Sequence, residues 1–216
     1  YNYTITSATT GATFTWTRAG VSNIAPATGS GTTASISETL TNSTSAPINV
    51  TYVLTPTGPT PGSCAGTPSN LVVTVNPTPT VDAQAPAAYC VGSPSNPVLF
   101  SSSFGVSGTS FAWTNSNAAI GLAATGNGNI ASFTTTNATN QSISGNIVVT
   151  PSANGCSGNS SNFNLTVNPI PTVNAVADQV KCNGTLSNAI SFSGAVPGTI
   201  YNWTNNNTSI NLGASG

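Results

Sequence analysis

One stretch of the chain is written twice, and it limits the folds that the chain can adopt. It reads LVVTVNPTPTV from Leu71 to Val81 and FNLTVNPIPTV from Phe163 to Val173, 92 residues later. In both copies every second residue of the first part is apolar, which is the period of a half-buried β-strand. Because proline fixes φ and has no N–H, strand pairing must end at Asn-Pro-x-Pro. The pattern predicts a closing strand that is tied to a following repeat.

Tryptophan and cysteine recur with a similar period. The tryptophans are 97 and 90 residues apart and two cysteine pairs are each 92 apart, at Trp16, Trp113, Trp203, Cys64, Cys156, Cys90 and Cys182. A period near 92 residues indicates a tandem array. We expect a first repeat at 1–81 that lacks its first strand, a complete middle repeat at 82–173, and the first half of a third repeat at 174–216.

The ties between these repeats are predicted to be stiff. Each contains two prolines in an extended Pro-x-Pro segment, and these are Pro77, Pro79, Pro169 and Pro171. Such segments limit bending between neighbours, so we expect the repeats to lie end to end. The partial outer repeats and the absence of Met also lead us to expect a piece of a longer chain.

The spacing of strand and turn signals favours one fold class. Each repeat shows about seven short alternating segments, turn signals between them and no helical period, as in an immunoglobulin-like antiparallel sandwich. The Asn154-Gly155 pair marks a two-residue hairpin turn. A β-solenoid would show a rung of a few tens of residues or fewer, and none is found. The prediction is an all-β chain of immunoglobulin-like antiparallel β-sandwiches in tandem.

Charge excludes several classes of function. The chain has two basic residues, three acidic residues, no His and a net charge of −1. No basic patch can neutralise phosphates, so we expect neither nucleic acid nor a membrane surface as a partner. The carboxylates fall in three different repeats, at Glu38, Asp82 and Asp178. With no pair of titratable groups, we expect no enzyme, no cofactor and no metal, apart from the weaker alternative of one junction carboxylate with backbone carbonyls.

An aromatic-x-aromatic pair occurs once in each repeat. The six residues are Phe14, Trp16, Phe111, Trp113, Tyr201 and Trp203. Side chains at i and i+2 lie on one face of a strand, and large rings there usually fill the centre of a small sandwich. We predict that they form the core; a sugar-stacking platform is the alternative. Asn-x-Ser/Thr triplets, for example at Asn42, Asn49, Asn137 and Asn202, indicate surface at most.

The cysteines allow two pairings. One joins Cys90 to Cys156 within the middle repeat, and the other crosses the junctions, from Cys64 to Cys90 and from Cys156 to Cys182. A strand of ~10 residues separates its ends by about 30 Å, whereas a disulfide needs Cα atoms within ~7 Å. In an immunoglobulin-like sandwich the first strand starts at the same end as the loop between the last two strands, and we place Cys90 and Cys156 at these two positions. We therefore predict a Cys90–Cys156 disulfide, which presupposes an oxidising setting.

These motifs together resemble a known family. The Asn-Pro-x-Pro-Thr-Val tie, the Cys-x-Gly at Cys90 and Cys182, the aromatic-x-Trp-Thr strand and the Gly155-Cys-Ser-Gly segment resemble the PKD-like and immunoglobulin-like tandem repeats of large Bacteroidetes surface proteins, including gliding adhesins. The resemblance implies export, through a type IX route, and display on the cell surface. One motif departs from the eukaryotic PKD pattern, because Thr114 and Asn115 follow Trp113 where that pattern has Asp.

The function predicted from these features is structural. We expect an extracellular stalk or filament segment of a surface adhesin, whose partners are the neighbouring repeats of its own chain. One alternative is an adhesive module that recognises glycans or surfaces through its Thr, Ser and Asn side chains. Another is a filament subunit in which the incomplete first repeat accepts a strand from the third repeat of another copy.

Overall fold

The computed structural model describes residues 1–216 and contains β-strands and two 3-10 turns, with no α-helix. The first repeat holds eight strands: β1 (Asn2–Thr4), β2 (Thr13–Arg18), β3 (Ile24–Ala25), β4 (Gly29–Gly31), β5 (Ser35–Ser37), β6 (Thr41–Asn42), β7 (Ile48–Thr57) and β8 (Ser69–Val75). Four of them form an antiparallel sheet in the order β4-β2-β7-β8, while β1 pairs with β5 and β3 with β6.

The core of the first repeat follows the two-residue period of its strands. In β2 and β7 buried and exposed residues alternate, so one face of the sheet is apolar and the other faces water. Trp16, Val50 and Tyr52 from this sheet pack with Ile5 and Ile36 from the β1 and β5 side in one cluster of buried residues. Two facing layers with one core between them form a β-sandwich.

The middle repeat holds six strands: β9 (Ala87–Cys90), β10 (Ser110–Asn115), β11 (Thr125–Asn127), β12 (Ile143–Ala153), β13 (Cys156–Ser157) and β14 (Ser161–Asn168). Five are ordered β11-β10-β12-β14-β9 in one sheet, and β13 pairs with β12. Isolated bridges at Val98↔Ile130 and Pro94↔Thr134 mark the second layer. The predicted hairpin turn is confirmed, since Asn154 and Gly155 both have positive φ (51° and 76°) between β12 and β13.

The first and last strands of the middle repeat pair in parallel. Ala87 lies opposite Leu165 and Cys90 opposite Asn168, so β9 covers the outer edge of the second half of β14. The sandwich is therefore antiparallel except at this one pair. The structure confirms the predicted all-β, immunoglobulin-like sandwich class.

The segment that we expect to be the first half of a third repeat has little regular structure. Residues 174–216 contain one bridge, Thr204↔Ser215, and a 3-10 turn at Thr208–Ile210, but no strand. Ile210 and Leu212 are 64% and 48% exposed, whereas the matching Ile120 and Leu122 are buried in the middle repeat. A strand needs a partner for its backbone and a layer for its apolar face, and segment 174–216 contains no counterpart of β12 and β14.

The chain forms two compact units. The first consists of Tyr1–Ala83, Phe100–Trp113 and Val149–Ser161, and the second of Gln84–Leu99, Thr114–Val148 and Asn162–Gly216. The division into repeats at 1–81, 82–173 and 174–216 stays a prediction. The tie between the first two repeats, with the loops that contact it, lies within the first unit.

Candidate functional site: the junction after the closing strand

An asparagine holds the end of the first closing strand. Asn42 donates from Nδ2 to Val75 O, the last residue of β8, at 2.9 Å and to Ala46 O at 2.8 Å. Its Oδ1 accepts hydrogen bonds from both the N–H and the hydroxyl of Thr44, at 2.9 and 2.8 Å. Both amide hydrogens and the amide oxygen are thereby used, so the loop and the strand end are fixed to each other.

The middle repeat builds the same arrangement. Asn137 donates to Val167 O at 2.9 Å and to Gln141 O at 2.8 Å, and it accepts from the N–H and hydroxyl of Thr139. We call Asn42 and Asn137 the strand-end clamps. Both lie in Asn-x-Thr triplets, where composition alone indicates no more than surface. The signal that could have identified them is the Thr-Asn-x-Thr motif at matching places in two repeats.

The tie that follows the first clamp is packed. Pro77 is among the most buried residues of the chain and Pro79 is also buried, whereas Pro171 in the second tie is exposed. Asn76 donates from Nδ2 to Asn154 O in the β12–β13 turn at 2.9 Å. A Cβ at Gly158 would overlap Pro79 O and lie 3.0 Å from Pro151 Cγ. The segment predicted to be a stiff linker is therefore also held by side contacts from the middle repeat.

Asp82 closes the junction on the middle-repeat side. Its backbone N–H donates to Ser101 O, and its carboxylate accepts from Ser101 Oγ and from the N–H and Oγ of Ser103 at 2.7–2.9 Å. The backbone hydrogen bond from Ser103, followed by the two hydroxyl bonds, lowers the pKa of Asp82. Asn174 takes the same place in the third repeat and bonds Ser193 through its N–H and Nδ2. The carboxylate thus positions a loop, and no group of three or more His, Cys, Asp or Glu side chains exists here or elsewhere.

The aromatic pairs lie largely inside the sandwiches. Trp16 and Trp113 are each 7% exposed and Phe14 is 9% exposed, while Phe111 is half-buried against Phe100. The Nε1 atoms of Trp16 and Trp113 are buried without a hydrogen-bond partner. The rings of Phe14, Trp16 and Trp113 therefore offer no open face to a ligand. In the third repeat Tyr201 and Trp203 are half-buried, as expected for a segment without its second layer.

A buried ion pair stands where the other repeats have asparagine. Two residues after Trp16, Arg18 is 2% exposed and bonds Glu38 through Nε at 3.0 Å and Nη2 at 3.2 Å, with Pro26 O and Ala27 O as further acceptors. Asn115 and Asn205 fill this position elsewhere and donate to Leu122 O and Leu212 O.

Burial and hydrogen bonds shift the pKa values of Glu38 and of its neighbour Tyr52. Burial raises the pKa of Glu38, but hydrogen bonds from Arg18 and Tyr52 outweigh burial and leave that pKa below its usual value. Burial and the bond to Glu38 raise the pKa of Tyr52. The sequence analysis treated Glu38 as an isolated carboxylate and missed its partner, because Arg18 lies 20 residues away at the end of β2.

The predicted Cys90–Cys156 disulfide is not formed, and all four cysteines are free. Cys90 is the last residue of β9, opposite Asn168 at the end of β14. Cys156 lies opposite Ala153 at the end of β12, and β12 runs antiparallel to β14, as the Thr150–Ser160 and Ser144–Thr166 contacts show. Asn168 contacts Ser142, which precedes Ala153 by 11 residues, so the two cysteines are roughly 35 Å apart along the strands at ~3.3 Å per residue. β9 begins at Ala87, opposite Leu165, so neither end of this strand lies at the β12–β13 turn.

The fold defines a class of protein, the all-β proteins built from sandwich modules. Residues 1–79 match the family of the PKD-like domain. Among solved structures, the chain is similar to the crystal structure of chicken CNTN1 FN1-FN3 domains at 9% identity and a TM-score of 0.28. That likeness covers 76% of this chain and 62% of the other, less than two thirds of its length. The comparison with curated proteins gave no match. No helix of the chain is long and apolar enough to cross a membrane.

Proposed function

We propose that this chain is a force-bearing segment of an extracellular surface stalk, in which each sandwich resists extension and each tie passes tension onward. The match of residues 1–79 to the PKD-like domain supports a structural or adhesive module of this kind. Display on the cell surface of a Bacteroidetes adhesin, by a type IX route, is the finer form of the proposal and follows from the resemblance of the repeats.

The observation that carries the proposal is the parallel pair formed by β9 and β14. These strands are the first and last of the middle repeat, so tension along the chain pulls them in opposite directions along their length. Ala87, Ala88, Tyr89 and Cys90 lie opposite Leu165 to Asn168, and the hydrogen bonds between them are loaded together rather than one at a time. Such a pair resists extension better than a hairpin that opens from one end.

The strand-end clamps and the packed tie support the same function. Asn137 holds Val167 O near the point where tension enters β14, and Asn42 does the same for β8. Asn76, Pro77 and Pro79 then fix the chain against the next sandwich. The end-to-end array belongs to the proposal, and solution scattering should give an elongated particle; a compact globule would contradict it.

Single-molecule stretching of the full chain tests the parallel pair. Val91 N–H donates to Asn168 O, and the alternation of a strand turns the N–H of Ala87 towards β14 and that of Ala88 away from it. Ala87→Pro removes a bond of the pair and should lower the unfolding force of the middle repeat. Ala88→Pro is the matched control and should leave it nearly unchanged. Equal forces for Ala87→Pro and the unmodified chain would overturn the proposal.

A second candidate is assembly by strand addition, and the outer edge of β8 favours it. In the middle repeat β9 covers the corresponding edge of β14, whereas β8 ends its sheet. Leu71, Val73 and Val75 of β8 are accordingly only half-buried. A donor strand from another copy would cover them, and light scattering over a concentration series would detect the resulting dimers or filaments. A mass that stays monomeric at all concentrations excludes this candidate.

A further inference from the structure

A groove at the junction of the first two repeats is used by none of the functions above. Its volume is about 410 Å³, and its lining includes Asn42, Thr78 and Pro79 from the first repeat and its tie. Phe104 and Asn159 line it from the middle repeat. The volume lies within the ~300–1,000 Å³ range of small-molecule sites.

The aromatic ring in this groove is carried by a longer loop that only the middle repeat has. Phe100 and Trp113 are 13 residues apart, and the loop between them contains Phe104. The same interval is 11 residues in the other repeats, from Ile5 to Trp16 and from Phe192 to Trp203. Phe104 is 38% exposed, so part of the ring is open to solvent. The two added residues thus place a ring at this junction and at no other.

Asp82 positions the loop that carries the ring. Its carboxylate accepts two hydrogen bonds from Ser103, the residue before Phe104, and one from Ser101. The third repeat has Asn174 in place of Asp82 and the shorter loop. The hydrogen bonds between Asp82 and Ser103 therefore fix the backbone next to Phe104, and the position of the ring does not depend on a ligand.

The lining of the groove is uncharged. An aromatic ring and Pro79 provide apolar surface, while exposed Thr78 and Asn159 provide a hydroxyl and an amide on the rim. A pyranose has complementary groups. Its apolar C–H face can stack on the aromatic ring, and its hydroxyl groups can form hydrogen bonds with the amide and hydroxyl side chains. A carboxylated sugar is disfavoured, because the lining contains no cation and the Asp82 carboxylate lies next to Val81 of the groove.

We propose that this groove binds one or two sugar units of a neutral glycan, with the sugar stacked on Phe104. The stalk would then carry a ligand site at its junction. The shallow, preformed groove suggests a dissociation constant on the order of 1 mM for a disaccharide.

The test is saturation-transfer NMR on the full chain with a panel of neutral sugars: the methyl glycosides of glucose, galactose, mannose and N-acetylglucosamine, and their disaccharides. At least one should receive saturation, and Phe104→Ala should weaken its binding about tenfold or more while Phe104→Tyr retains it. Asn159→Ala offers a second variant, whose exposed side chain is not part of the core. Leu99→Ala is the control, since Leu99 is 66% exposed and not in the lining.

Three outcomes would overturn the proposal. One is no transfer to any sugar of the panel, and another is binding that Phe104→Ala leaves unchanged. The third is a concentration-dependent mass that Phe104→Ala abolishes, which would assign the groove to a second copy of the chain.

Discussion

Asn42 and Val75 lie 33 residues apart in the chain and are joined by a hydrogen bond of 2.9 Å from Nδ2 to the backbone oxygen. The bond ties the last residue of β6 to the last residue of β8. Because Asn137 and Val167 repeat it at the same length, the clamp is a property of the repeat and not of one sandwich.

Removing a clamp should destabilise the repeat that contains it. Asn137→Ala leaves Val167 O and Gln141 O without their donor, and an unsatisfied polar group that is partly buried costs about 1–3 kcal/mol. Thermal or denaturant unfolding followed by circular dichroism measures the loss. Asn70→Ala, at an exposed position of β8, should change stability by less than about 0.5 kcal/mol. Equal effects of the two substitutions would contradict the clamp.

Trp113 should be structural. Its ring is 7% exposed, and truncation of a buried Trp to Ala typically costs about 3–5 kcal/mol through lost contacts and the cavity left behind. Trp113→Ala should therefore lower the unfolding midpoint of the middle repeat sharply. A variant that keeps the original midpoint but loses adhesion to a surface would restore the sugar-stacking role for this ring.

The first repeat should lose stability in acid through Glu38. Hydrogen bonds from Arg18 and Tyr52, which outweigh burial, hold the pKa of Glu38 below the unfolded value of about 4.3. A lowered folded pKa stabilises the fold above the unfolded pKa, and that stability is lost as pH falls through the folded pKa. Unfolding midpoints measured from pH 7 to pH 2 should decline from about pH 5 downward.

Glu38→Gln provides the control for that pH series. It leaves the Arg18 guanidinium buried without its charge partner, so stability at neutral pH should fall by about 3–5 kcal/mol. The decline of the first repeat in acid should then become shallower. A slope identical to that of the unmodified chain would show that other groups govern the acid response.

The cysteines should be found as free thiols or in bonds other than Cys90–Cys156. Register places these two at opposite ends of β14, and a disulfide requires Cα atoms within ~7 Å. Peptide mapping of the chain without reduction identifies any bond. A Cys90–Cys156 peptide would mean that β9 lies in another register.

The strands and turns that depend on local pattern could be read from the sequence. The alternation of Leu71, Val73 and Val75 predicted β8. The Asn154-Gly155 pair predicted the hairpin turn, because both residues tolerate a positive φ. Features that depend on which residues of two strands pair with each other could not be predicted from the sequence. Cys90 was expected at the start of the first strand but is the last residue of β9, because the sequence does not show which residues pair with the closing strand.

Long-range partners were missed for a related reason. The Arg18–Glu38 pair and the Asn42–Val75 bond connect residues that lie 20 and 33 positions apart, and nothing in the local pattern identifies the partner. Residues 174–216 show that a local pattern alone is also not enough to form a strand. Tyr201 and Trp203 have the pattern of β10, but a pattern forms a strand only where a neighbouring strand completes its ladder.

The Arg18–Glu38 pair is the one ion pair of the chain, and it is buried, with side-chain exposures of 0% and 11%. Dissolved salt screens exposed charges strongly and buried ones little. Apart from the Asp82 carboxylate at the junction, the clamps, the tie and the sheets are held by amides, hydroxyls and apolar contacts, which carry no net charge for salt to screen. The stability of a protein built in this way should depend little on the electrostatic screening of dissolved salt.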